Sequence, residues 1–167
     1  ANVLAAIQLQ VKAALDYDKL LDKLRGSEGE KNIRDQQNAL ITSLNLRLNG
    51  VSKKRTRLYE DYAEGLLDEA EYSFAKKSYD EQYADLSRRL DEAVQRRSKF
   101  DEAMSVDNKW ITLMKSVSTA TQLSQDLVDE SVELVKVHEG GAVELVMKYG
   151  DIYELTIQSI KEVQEAM

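Results

Sequence analysis

The feature that most constrains this chain is an apolar stripe that runs outward along residues 31–104 and then returns. Its outgoing positions are Ile33, Gln37, Ile41, Leu44, Leu48, Val51, Arg55, Leu58 and Tyr62. Its returning positions are Tyr72, Lys76, Tyr79, Tyr83, Leu86, Leu90, Ala93, Arg97, Phe100 and Met104. Both alternate steps of three and four, the spacing that keeps one helix face against a partner helix. Gly65 lies between the two runs and suits the left-handed residue just past a helix end. Asp68 and Glu71 have the spacing of a capping box, which starts a returning helix. If Tyr62 meets Tyr72, then Val51 meets Tyr83, Leu48 meets Leu86 and Leu44 meets Leu90. One register serves the whole length. The expected fold is mostly α: a long antiparallel coiled-coil hairpin over 31–104, with its tip at 64–70, projecting from a small α+β base. At about 1.5 Å per residue each arm reaches roughly 50 Å.

The base draws on both ends of the chain. A first helix within 1–25 runs from about Asn2 to Leu24, with Leu4, Ile7, Val11, Leu15 and Leu21 on one face. Gly26-Ser27-Glu28-Gly29 reads as a break, and the outgoing arm starts near Lys31. In 105–167 the heptad rhythm stops. Trp110, Leu113, Met114 and Val117 suggest a short helix, and 116–121 suggests a break. Ser124 is placed to cap another short helix, with Leu127, Val128 and Val132 inward. Then the period changes to two. Val135, Val137, Val143, Leu145, Met147 and Tyr149 alternate with charged residues around Gly140-Gly141, which predicts a β-hairpin over 135–149. A last helix from about Asp151 carries Ile152, Leu155, Ile160 and Val163. A lone two-stranded hairpin is marginal in water, so these strands are expected to lean on the terminal helices or to extend a sheet.

Composition narrows the function. Proline is absent, which suits long unbroken helices, and cysteine is absent, which removes disulfides and thiolate zinc sites. There is no long apolar run of membrane-spanning length and no secretory pattern, so a soluble interior protein without membrane contact is expected. The chain opens on Ala1 without an initiator Met and is expected to be a piece of something larger. Net charge is −7, unevenly spread: residues 1–104 hold 18 basic and 19 acidic side chains, residues 105–167 hold 5 and 11. The acidic last third is a poor surface for nucleic-acid phosphates. The basic runs Lys53-Lys54-Arg55-Arg57 and Arg96-Arg97-Lys99 are expected to form solvated cross-helix pairs, Lys53 near Glu81 and Lys54 near Asp80.

Few residues suggest chemistry. His138, the only histidine, stands in strand alternation without companions for a metal site. No glycine-rich loop leads a strand into a helix, and the carboxylates fall at helical surface spacing or in caps. The chain is therefore read as no enzyme by itself, with no cofactor. The far end of the hairpin is more telling. Tyr59, Tyr62, Leu66, Leu67 and Tyr72 crowd the tip of an otherwise polar rod, and together they read as an apolar contact patch.

The tip string from Arg57 to Tyr72 (RLYEDYAEGLLDEAEY) resembles the coiled-coil motif of large serine recombinases, the integrases and transposases of phages and conjugative transposons. Ala6-Ile7-Gln8-Leu9-Gln10 looks like the helix that follows their zinc ribbon. The stretch from Leu127 to Glu144, then Tyr149-Gly150-Asp151-Ile152-Tyr153, looks like their C-terminal return segment. The resemblance spans nearly the whole chain. It implies a parent enzyme, a serine site-specific DNA recombinase, working on DNA in a bacterial cytoplasm. Its nucleophile, DNA-binding domains and cysteine-ligated zinc would lie in segments absent here. It also implies a role for the arm: contact with the arm of another copy, which assembles the synaptic complex and restrains the reverse reaction, and contact with a directionality factor. No catalytic, zinc or base-reading residue can be carried onto this numbering; only the tip residues can. The competing readings are a spacer or adaptor whose tip binds an unrelated protein, and a DNA-contacting arm that uses Lys53 to Arg57.

Overall fold

The structure, a computed structural model, describes residues 3–140 and 143–167. Asn2, Gly141 and Ala142, expected in the first helix and in the hairpin turn, lie outside the described residues. In chain order the elements are α1 (Val3–Leu24), α2 (Glu28–Ala63), α3 (Glu69–Met104), α4 (Lys109–Ser116), α5 (Gln125–Ser131), β1 (Val132–Val137), β2 (Val143–Met147) and α6 (Gly150–Glu165). The protein is mostly helical, with a long antiparallel helical hairpin and an α+β part that holds a two-stranded β-hairpin. It divides into two units, Ala1–Ile33 with Lys99–Met167, and Arg34–Ser98.

Arg34–Ser98 contains most of α2 and α3. Leu44, Val51, Leu86 and Ala93 are buried between them, flanked by Ile41, Leu48, Tyr79, Tyr83 and Leu90. The expected register holds along this length. Tyr62 stacks on Tyr72 with ring centroids 4.3 Å apart, and Arg55 reaches Asp80 at 2.8 Å. Further along, Arg97 donates to the Asn38 side chain. The wide tyrosines take the half-buried places, as a seam of bulky amphipathic rings should.

The other unit has its own core. Ile7, Val11, Ala14, Leu21 and Leu24 of α1 pack with Trp110, Ile111 and Met114 of α4 and with Ile152, Ile160 and Val163 of α6. Phe100 and Met104 belong to this core, although they continue the heptad stripe. Tyr153 lies 4.6 Å from Trp110 and Tyr17 lies 6.1 Å from it, ring to ring. Leu15, expected inward, is exposed, and Ala14 takes the buried position one residue back. Asn108 ties three elements: it accepts from the Ile111 amide as the α4 cap, and donates to the Ala103 carbonyl and to Thr156 Oγ1.

Three expected boundaries move. Only Arg25–Ser27 separates α1 from α2, because Ser27 caps α2: Ser27 Oγ accepts from the Glu30 amide at 3.2 Å, and the Glu30 carboxylate reaches back past the cap to accept from the Gly26 amide at 2.5 Å. Gly29 is thus helical, not part of the break. A Cβ there would lie 2.2 Å from the Val163 carbonyl oxygen, so Gly29 serves close approach to α6. The second shift is Val132, which starts β1 where a helix was expected to continue, and Lys148-Tyr149 fall outside β2. The third is the start of α6 at Gly150, entered through Tyr149 in the left-handed region at φ 58°.

The ladder pairs Val135 with Leu145, Lys136 with Glu144 and Val137 with Val143, with an irregularity near Val132–Leu134. Leu145 and Met147 lean on the core, whereas Leu134, Val135 and Val137 are exposed. The strands therefore rest on the helices through β2 and through Val132, the buried first residue of β1. Ser124 caps α5 as expected, accepting from the Leu127 amide at 3.1 Å.

Candidate functional site

The turn between α2 and α3 is built from backbone chemistry. The Gly65 amide donates to the Tyr62 carbonyl at 3.0 Å and the Leu66 amide to the Asp61 carbonyl at 2.9 Å, with Gly65 at φ 75°. That pair of bonds is a Schellman motif, which satisfies the last carbonyls of α2. On the return, Asp68 accepts from the Glu71 amide at 2.8 Å while Glu71 accepts from the Asp68 amide at 3.0 Å. This is the expected capping box. The turn needs nothing from outside itself to hold its shape.

That independence gives the leucines their meaning. In a Schellman motif the residue in Leu66's position usually packs back onto the third residue from the helix end. Here that residue is Asp61, and Leu66 is 68% exposed. Capping therefore does not explain its side chain. Tyr59 is 60% exposed, Leu67 is half-buried, and Tyr62 and Tyr72 close on each other as a stacked pair. Of the five expected tip residues, Tyr62 and Tyr72 thus stack as a pair in which Tyr62 still reaches the surface, Leu67 is half-buried, and Tyr59 and Leu66 are open.

The heptad stripe passes over Phe74, which is 81% exposed. It lies two residues beyond Tyr72, on the side of α3 away from the stripe. A phenylalanine at a polar position of a heptad was the available signal.

Charge in this unit is segregated along the chain. From residue 36 to 59 there are five basic side chains and no acidic one; from 58 to 75 there are six acidic side chains and no basic one. Lys53, Lys54 and Arg57 are exposed and make no ion pair among the described residues. The expected pairing of Lys54 with Asp80 is not formed. Asp80 is taken by Arg55 at 2.8 Å and Lys76 at 2.6 Å. Arg55 also lies 4.8 Å from the centre of the Tyr83 ring. The reason is rotational: Arg55 borders the seam and reaches across, while Lys54, one residue round the helix, points outward. The Lys76 hydrogen bond holds the Asp80 carboxyl below its ordinary value, and the same bond raises the Lys76 ammonium.

Gly50 lies on this outward side. It is helical, and a Cβ there would meet nothing within 4 Å. A mid-helix glycine costs about 1 kcal/mol relative to alanine. Nothing within the hairpin requires one.

The other unit carries a cleft of about 990 Å³ beside β2 and the start of α6, lined by Trp110, Leu145, Tyr153 and the carboxylates of Glu133, Asp151 and Glu154. His138 lies on the strands, 2.9 Å from Glu144, which also meets Lys136 at 3.1 Å. These two neighbours, His138 first, hold the Glu144 carboxyl below its ordinary value. Among the described residues no three acidic or histidine side chains gather as a metal-holding group, and no helix is long and apolar enough to cross a membrane.

Comparison with protein-family models, with curated proteins and with solved structures finds no match. The chemistry of the hairpin's far end therefore carries the functional argument, together with the resemblance of its sequence.

Proposed function

We propose that this chain is the subunit-interaction module of a large serine site-specific recombinase, and that the end of its helical hairpin contacts another copy during synapsis. The observation that carries this reading is Leu66. It is a large apolar side chain, 68% exposed, on a turn whose backbone bonds and caps are complete without it. Tyr59 and Phe74 add exposed aromatic surface to the same end of the hairpin sequence. A patch of a few residues buries well under the roughly 1,200 Å² of a standard interface, so the contact is weak between free chains. Holding two copies side by side on DNA raises their effective concentration and makes the same contact decisive. Catalysis, zinc and base reading belong in this proposal to other parts of the parent protein.

The test is light scattering behind size exclusion over a wide concentration range, on the chain and on the Leu66→Asp/Leu67→Asp variant, with circular dichroism of both. Self-association that the variant loses at unchanged helicity is the expected result. A variant that unfolds would make the leucines structural, and association unchanged by the variant would remove the tip from the interface.

A further inference from the structure

We propose that the tip of one arm docks on the outward stripe of α2 of a second copy, reciprocally, so that two arms overlap antiparallel. This deepens the subunit-interaction reading and rests on it, because it names the surface that receives the tip. The stripe is Gly50, Lys54, Arg57, Asp61 and Glu64, at alternating steps of four and three, which place it on one face of the helix away from the seam. Its first half is basic and its second half acidic. Such a stripe is complementary to its own antiparallel copy. One alignment sets Arg57 opposite Asp61 and Lys54 opposite Glu64 of the second copy, and the two-fold symmetry makes each pair twice.

The alternative, tip against tip, brings together six carboxylate residues from each copy and no cation. Like charges facing each other cost affinity, and opposite charges fix register and speed encounter. Two observations favour the stripe. Lys53, Lys54 and Arg57 have no ion-pair partner within the described residues. Gly50, unexplained by the hairpin's own packing, lies one helical turn past Lys54, level with the end of the second copy's helix, which stops at Ala63, so the missing side chain leaves room for the leucine turn that follows. The overlap spans the ten or so residues between Lys54 and Glu64 in each arm, about 15 Å of helix. That is a small surface, as a contact made decisive by DNA requires.

The chain has no cysteine, so engineered thiols report proximity cleanly. Lys54→Cys and Glu64→Cys chains, one carrying a size tag, are mixed and oxidised. The expected product is the mixed dimer, in at least about tenfold excess over the Glu64→Cys homodimer, because a disulfide needs Cα atoms within about 7 Å. Gly50→Gln fills open space, keeps the fold and lowers association at least about tenfold. The wild-type contact weakens as salt is raised, since screened opposite charges hold it. A Glu64→Cys homodimer, with association that strengthens in salt and ignores Gly50→Gln, overturns the inference and leaves a tip-to-tip contact. A monomer at every concentration with no cross-link overturns both the inference and the subunit-interaction reading. Duplex DNA bound by the wild-type chain and lost on Lys53→Glu/Lys54→Glu/Arg57→Glu, with no mixed cross-link, assigns the stripe to phosphate and also overturns the inference.

Discussion

Gly29 and Asn108 show how single residues set this protein's local geometry. At Gly29 a Cβ would lie 2.2 Å from backbone of α6, at the Val163 carbonyl, which cannot rotate aside. Gly29→Ala is expected to destabilise the chain by about 1–3 kcal/mol, the ordinary cost of overpacking, measured by chemical denaturation. Asn108 is 1% exposed and bonds to Ile111, Ala103 and Thr156. Asn108→Ala removes a cap and leaves a buried carbonyl and hydroxyl poorer by one partner, so a loss of about 2–3 kcal/mol is expected in the same measurement. Gly50 should respond the other way. Gly50→Ala is expected to stabilise by about 0.5–1 kcal/mol, since no atom obstructs the added methyl.

At the scale of elements, the helical hairpin and the β-hairpin are held differently. The seam of α2 and α3 buries Leu44 and Leu86 almost completely. Replacing either by Ala should cost about 2–5 kcal/mol, because truncation leaves both a transfer loss and a cavity. The β-hairpin instead leans on exposed side chains, with Glu144 opposite Lys136 and beside His138. Glu144 has its carboxyl depressed by these partners, so its stabilisation is fully present above the ordinary glutamate value and is lost as pH falls through the depressed one. A carbon-detected NMR titration should show Glu144 titrating below the ordinary glutamate value, and His138→Ala with Lys136→Ala should bring it back. A Glu144 that titrates at the ordinary glutamate value would show that the pair is not formed in solution.

For the whole molecule, the heptad logic of α2 and α3 predicts which deletions the fold accepts. Removing residues 41–47 together with 87–93 takes one heptad from each arm and keeps every remaining seam pair opposite its partner. The doubly shortened chain is expected to keep its fractional helicity and a cooperative melt. Removing either segment alone shifts one arm by about 10 Å against the other and should broaden the melt and lower its midpoint. Equal behaviour of the single and double deletions would show that the arms slide freely.

The stripe of Leu44, Leu48, Val51, Leu86 and Leu90, with Gly65, Asp68 and Glu71 at the turn, determined the helical hairpin and its register from sequence alone. Those signals are local or periodic: a helix repeats its face every three or four residues, and a turn is closed by its own neighbours. The five tip residues were legible as a group for the same reason. What each of them does was not. Tyr62 and Tyr72 satisfy each other while Leu66 stays open, and that difference depends on side-chain direction in the folded turn. Likewise Asp80 went to Arg55 and not to Lys54, since one residue round the helix decides which cation reaches across. Gly29 read as a breaker because the chain close to it gives no sign of Val163, more than a hundred residues away, whose carbonyl needs the space. Phe100 and Met104 kept heptad spacing yet joined the core of the other unit, since periodicity names the buried face but not what covers it. Local chemistry decided where the helices run and turn; only distant packing decided which faces were left free to meet a partner.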